Sequence, residues 1–159
     1  QSIITTVSEL DEELIKEAIR RELQRNGQIF FVHNNIQSIG KMARKLQQLV
    51  PEAKLDIAHG RMSENELEQV MYRFFNKEFD LLVCTTIIES GLDVSSANTI
   101  IVNRADRFGL AQIYQLRGRV GRSDEQAYAV LIIPPESILT SDARKRLKEI
   151  LKPRVEGNP

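Results

Sequence analysis

Residues 115–122 read QLRGRVGR, which places Arg117, Arg119 and Arg122 within six positions, two of them directly after Gly118 and Gly121. The chain as a whole has a formal net charge of zero, from 22 basic and 22 acidic side chains. The positive charge is therefore a local feature. Guanidinium groups keep their charge and grip oxyanions through two parallel N–H bonds, and a neighbouring glycine lets a phosphate approach the backbone. Such a cluster can also decorate a solvated helix end, but the spacing Q-x-x-G-R-x-G-R is specific enough to favour a phosphate-facing role.

Other candidates for anion contact sit where apolar runs end. Thr85 and Thr86 close the run DLLVCTT just before a predicted helix start. Hydroxyls and free N–H groups there suit a backbone phosphate, which positions a nucleic acid without reading its sequence. A β-branched strand end followed by a helix cap explains the same two residues equally well. Asn34 and Asn35 follow QIFFVH, where they can donate to a phosphate or cap the next helix. His59, Gly60 and Arg61 follow KLDIAH, and taken alone His59 reads as a turn histidine. His33 has no reading beyond its strand end. Two isolated histidines are weak evidence for a metal ion, so no metal site is expected. Cys84 is the single cysteine, which leaves no internal disulfide or cysteine metal site and makes it a small buried apolar residue.

What the chain lacks is as informative. A phosphate loop needs G-x-x-x-x-G-K-[ST], and the one Gly-Lys pair, Gly40-Lys41, is followed by Met42. DEEL at 11–14 opens a helix and DEQA at 124–127 follows Arg122-Ser123, so neither is a magnesium-holding acidic box at the end of an apolar strand. No G-x-G-x-x-G follows any strand, which sets aside a dinucleotide-binding enzyme. Arginines that sense phosphate, with nothing to hold triphosphate and magnesium, look like half of an active site.

These residues must be positioned by the elements between them. Strands are expected at 2–7, 28–33, 54–59, 80–86, 98–103 and 127–133, most of them continuous apolar runs covered on both faces. Helical stripes alternate with them. The first carries Leu14, Ile15, Ala18, Ile19 and Leu23, with Ser8 and Asp11 at capping-box spacing; the second carries Ile36, Ile39, Ala43, Leu46 and Leu49. A third opens on Ser63 and Glu66 and turns Leu67, Val70, Met71 and Phe74 inward. The Phe74-Phe75 pair reads as core. Another helical segment surrounds LAQIYQLRG, and the last carries Ala143, Leu147, Ile150 and Leu151. The alternation predicts an α/β fold, a mostly parallel sheet with helices on both faces, whose ligands meet the carboxyl ends of the strands.

With 159 residues, 42% hydrophobic and 28% charged, the chain has the composition of one globular domain with a full core. No apolar run approaches the roughly 20 residues that span a bilayer, and the first residues lack a signal-peptide layout. A cytoplasmic setting with no membrane partner is expected. The zero net charge argues against coating nucleic acid by bulk electrostatics.

The segment AHGRMSENELEQVMYRFFNKEFDLLVCTTIIESGLDVSSANTIIV, followed by QLRGRVGR, resembles the C-terminal RecA-like lobe of DEAD-box and RecG-type helicases and translocases. VHNN, RADRFGLAQIYQLRGRVGRSDEQAYAVLI and DARKRLKEI narrow the resemblance to the bacterial transcription-repair coupling factors (Mfd), with RecG close behind. The resemblance implies a P-loop-NTPase-type fold without its own phosphate loop: a helicase C-terminal domain over residues 1–151, with 152–159 a flexible tail or the start of a translocation segment. It implies ATP with Mg2+ held mainly by an N-terminal RecA-like lobe of the same protein, and a double-stranded DNA backbone as partner. RNA polymerase and excision-repair proteins would be met through the full-length protein. By the same resemblance Arg119 and Arg122 face the triphosphate, Arg119 being the better finger candidate, while Arg117 matches a variable position. Gln115 and Gly118 match the first polar residue and the close-approach glycine of the box. Asp93, after Gly91, matches an acid that contacts the ribose or bridges the lobes, or else it serves as a turn aspartate. Thr86 more than Thr85, together with His59, Gly60 and Arg61, matches DNA-backbone contacts. The isolated chain is expected to be inactive. The alternatives are a lobe of a branched-DNA helicase of the RecG type and a non-catalytic phosphate-binding module.

Overall fold

Six strands form one sheet: β1 (Ile3–Glu9), β2 (Gln28–Val32), β3 (Leu55–Ala58), β4 (Leu81–Cys84), β5 (Ala97–Val102) and β6 (Ala127–Ile133). The computed structural model describes residues 3–85, 97–109, 111–113 and 125–151. The strand order is β1-β6-β5-β2-β4-β3, and every neighbouring pair is parallel. All six carboxyl ends therefore lie along one edge, as the α/β alternation predicts.

Helices α1 (Glu12–Gln24), α2 (Ile36–Leu49), α3 (Glu64–Phe75) and α4 (Ser141–Leu151) cover the two faces. Alternate strand residues point to opposite sides, and the core divides accordingly. Ile29, Phe31, Leu81, Val83, Ile101, Val130 and Ile132 pack with Ile15 and Ile19 of α1 and with Ile39, Ala43 and Leu46 of α2. Phe30, Val32, Leu82, Cys84, Ile100, Val102 and Leu131 pack on the other side with Val70, Met71 and Phe74 of α3 and Ile150 of α4. Every residue of β2, β4 and β5 is buried, which accounts for their unbroken apolar runs. The apolar stripes are somewhat narrower than expected: Phe74 is fully buried, but Phe75 and Leu151 are about half exposed, at 48% and 50%.

Local polar chemistry starts the helices. Asp11 caps α1, its carboxylate accepting from the N–H groups of Glu13 and Leu14. Ser8, the other half of the expected capping box, is instead in β1 opposite Ile132 of β6, so sheet pairing has taken it. Asn35, not Asn34, caps α2 by accepting from the Ser38 N–H at 3.0 Å. Ser63 and Glu66 form the reciprocal box that opens α3.

At the opposite edge of the sheet, the buried Glu22 carboxylate takes a forked ion pair from Arg25, at 2.7 and 2.8 Å, and a bond from the Thr99 hydroxyl. Arg25 also donates to the Gln126 carbonyl, and Arg21 stacks on Tyr128 at 3.5 Å. A Cβ at position 27 would lie 1.9 Å from this carboxylate, so the turn after α1 has room only for Gly27.

Candidate nucleic-acid and phosphate-binding edge

Strand register decides which residues meet at the carboxyl edge. Val32 pairs with Cys84 on one side and with Val102 on the other, and Cys84 pairs with Ala58. The residues just beyond are Asn103, His33, Thr85 and His59, on four successive strands. With neighbours about 4.8 Å apart, this row is roughly 14 Å long.

His33 is the brace of the row. Its N–H donates to the Cys84 carbonyl at 2.8 Å. Its Nδ1 lies 2.9 Å from the Asn103 side-chain amide nitrogen, and its Nε2 lies 2.7 Å from the Ser38 hydroxyl. The amide can only donate, so the network assigns the neutral ring with the hydrogen on Nε2. Burial lowers the His33 pKa below its ordinary value, which reinforces that state. One ring thus ties the end of β2 to α2 and β5. Nothing in the sequence flagged this, because Asn103 is seventy positions away.

Thr85 is buried, 5% exposed, and its N–H donates to the Ala58 carbonyl at 3.2 Å. It braces β4 against β3. Asn34 is exposed, and because Asn35 supplies the cap, the Asn34 side chain makes no hydrogen bond among the described residues. His59 turns the chain: its Nδ1 accepts from the Arg61 N–H at 3.2 Å and its carbonyl accepts from the Met62 N–H at 3.1 Å. That geometry fits the turn reading and leaves Nε2 for an outside partner. Gly60 and Arg61 are exposed, nothing lies within 4 Å of a Cβ built at Gly60, and the Arg61 guanidinium has no ion pair among the described residues. His59, Gly60 and Arg61 form an open end of the row, made cationic by Arg61, while Asn34 lies two strands inward, beyond β4.

The chain leaving β5 toward the arginine-rich segment is anchored by a second network. Arg104 takes a left-handed backbone conformation, φ 52°, and its guanidinium forks onto Asp106 at 2.9 and 2.8 Å. That pairing holds the Asp106 carboxyl below the usual carboxylate range and raises the Arg104 pKa. Arg146 of α4 donates to the Asp106 carbonyl at 2.7 Å. The sequence carries no sign of this anchor, because Arg146 there is one more charge on an amphipathic helix.

Thr86, Gly91, Asp93, Gln115, Gly118, Arg119 and Arg122 lie outside the described residues, as does the segment 152–159. Among the described residues, no three His, Cys, Asp or Glu side chains cluster as a metal site, and no helix is long and apolar enough to cross a membrane.

The family described as helicase conserved C-terminal domain matches residues 9–124. This chain belongs to that family. β6 and α4 lie outside the matched stretch and β1 meets it only at Glu9, yet they complete the sheet and one of its apolar faces. The chain is 53% identical over 149 residues to the transcription-repair-coupling factor of Escherichia coli, covering 94% of the chain and 13% of that protein. It is 53% identical over 148 residues to the same factor of Myxococcus xanthus, covering 93% and 12%. It thus spans about an eighth of the length of these curated relatives. Among solved structures, RecG bound to a three-way DNA junction matches with TM-score 0.81 and 38% identity, over 94% of this chain and 20% of that one. A DEAD-box protein from Methanococcus jannaschii matches with TM-score 0.67 at 23% identity, over 93% and 39%, a likeness of fold alone. The six-stranded parallel sheet is that of a RecA-like helicase C-terminal lobe.

Proposed function

We propose that this lobe is the second motor lobe of an ATP-dependent double-stranded DNA translocase of the transcription-repair coupling type. The observation that carries the reading is the 53% identity to coupling factors over nearly the whole chain. In the full-length cytoplasmic protein, the motor displaces stalled RNA polymerase and brings in excision-repair proteins. ATP and Mg2+ are held mainly by the preceding RecA-like lobe. Arg119, with Arg122, reaches the triphosphate across the cleft, and Gln115, Gly118, Gly91 and Asp93 complete this lobe's side of it. Thr86, His59, Gly60, Arg61 and Asn34 contact DNA phosphates, with Thr85 behind them as support. A few phosphate contacts give weak, sequence-independent binding that declines gently with salt. The match to RecG favours a second reading, a motor that remodels branched DNA, at the lower identity of 38%.

The test is Arg119→Ala in the full-length protein. A finger stabilises charge in the phosphoryl-transfer transition state and contributes about 10³–10⁵ in rate, or roughly 4–7 kcal/mol. Nucleotide affinity should hold while single-turnover hydrolysis collapses, and Arg117→Ala should lose far less. Near-normal hydrolysis in Arg119→Ala, or equal losses in both variants, would remove the finger from this box.

A further inference from the structure

A groove of about 560 Å³ runs between the first half of α2 and strand β3, and His59 stands at its end. Its walls include Gln37, Lys41 and Arg44 of α2 and Asp56 of β3. These three α2 positions are four and three residues apart, so they share one face of the helix. Lys41 and Arg44 are exposed, and neither makes an ion pair among the described residues. Three cations of α1 and α2 behave differently. Lys45 pairs with Glu12 at 3.1 Å, Arg20 with Glu52 at 2.9 Å, and Lys16 with Glu13 at 3.3 Å.

The acid in the wall does not neutralise these two cations. Asp56 is held by Arg73 at 2.8 Å through one oxygen and by the Ile57 N–H at 2.7 Å through the other. The groove therefore carries two uncompensated positive charges, and it opens onto the turn where Arg61 adds a third. From Gln37 to Arg44 the helix advances about 10 Å. Phosphates of one strand advance about 3.4 Å each along the duplex axis, and the strand also winds around that axis, so that face is long enough to meet about two of them.

We propose that this groove is a second phosphodiester-backbone site, which carries a DNA strand from His59 and Arg61 along α2 past Lys41 to Arg44. The proposal rests on the reading of the lobe as a DNA motor and adds a path on a helix that this reading does not use. Continuity with the open cationic end of the edge favours a nucleic-acid backbone over an acidic segment of another protein.

Duplex binding by the full-length protein, followed by fluorescence anisotropy across a range of salt concentrations, tests the path. The doubly neutralised variant Lys41→Gln/Arg44→Gln should lose two phosphate contacts. Its plot of log affinity against log salt should then be shallower by about 1.8, at roughly 0.9 per contact. The charge-keeping variant Lys41→Arg/Arg44→Lys should retain the wild-type slope, which separates charge from any effect on the fold. A wild-type slope in the Gln variant overturns the proposal. If that variant instead loses binding to a poly-glutamate probe, the groove belongs to an acidic protein partner. His59→Ala/Arg61→Ala serves as the companion measurement. A loss there, with none in the Gln variant, leaves the motor reading standing and removes only the groove; no loss in either variant removes both.

Discussion

The His33 ring is held by two partners that fix its single hydrogen, with Asn103 donating to Nδ1 and Ser38 receiving from Nε2. Protonation would place a hydrogen on Nδ1 facing the Asn103 amide hydrogens, and burial already opposes the charge. The folded-state pKa therefore lies below the unfolded value of about 6.5. On acidification the unfolded chain takes the proton first. The stability given by the neutral ring is full above about pH 6.5 and is lost as pH falls toward and through the lowered value. Denaturation midpoints at about pH 7.5 and about pH 5.5 should drop further in wild type than in His33→Gln, which cannot titrate. Equal drops would show that the ring stays neutral for no energetic reason. Cys84 was readable as a small buried apolar residue, and burial pushes its thiol up to about 12, which leaves almost no nucleophilic thiolate at neutral pH. The partners of His33 and Arg146 were not readable, because side-chain networks join positions that only the folded sheet brings together.

At the scale of elements, what could be read was what is decided locally. The box of Ser63 and Glu66 closes within one helical turn, so its spacing alone identified the start of α3. Accepting the Ser63 N–H holds the Glu66 carboxyl below its usual range. The same box stops the turn that presents His59, Gly60 and Arg61, so it stands next to the proposed DNA contact. Ser63→Ala should cost roughly 1 kcal/mol of stability, the usual worth of an N-cap. Urea unfolding reads that cost, and an unchanged midpoint would mean that α3 is held by Val70, Met71 and Phe74 alone. Ser8 misled for the complementary reason. Its spacing to Asp11 is as good as that of Ser63 to Glu66, but parallel pairing with β6 extends β1 through Ser8 to Glu9, and the cap passes to Asp11. Asn34 and Asn35 were equivalent by type, and the backbone geometry at the end of β2 selected Asn35.

For the whole molecule, the parallel sheet was legible and the strand order was not. β2, β4 and β5 are each buried throughout, so nothing in their side chains says which lies beside which. The order follows from pairings distant in sequence, such as Ile3 with Ala127 and Phe31 with Ile101. Parallel pairing brings every strand end to one edge whatever the order, and the order decides that the edge gathers Asn34, Thr85 and His59 from three separate segments. Thr86, Asp93 and the arginine box rest on motif and kinship, since they fall outside the described residues. The last prediction concerns the chain by itself. Two faces of packed apolar side chains around a six-stranded sheet are a sufficient core for independent folding, so the purified 159-residue chain should unfold in one cooperative transition. It should not hydrolyse ATP, with or without duplex DNA. Arginines facing the triphosphate lower the barrier only for a nucleotide already held with its metal, and the sequence contains no G-x-x-x-x-G-K-[ST] loop to hold one. Phosphate release from the folded chain, measured against a mock preparation, decides this. DNA-stimulated turnover above that background would mean that this lobe carries a complete active site.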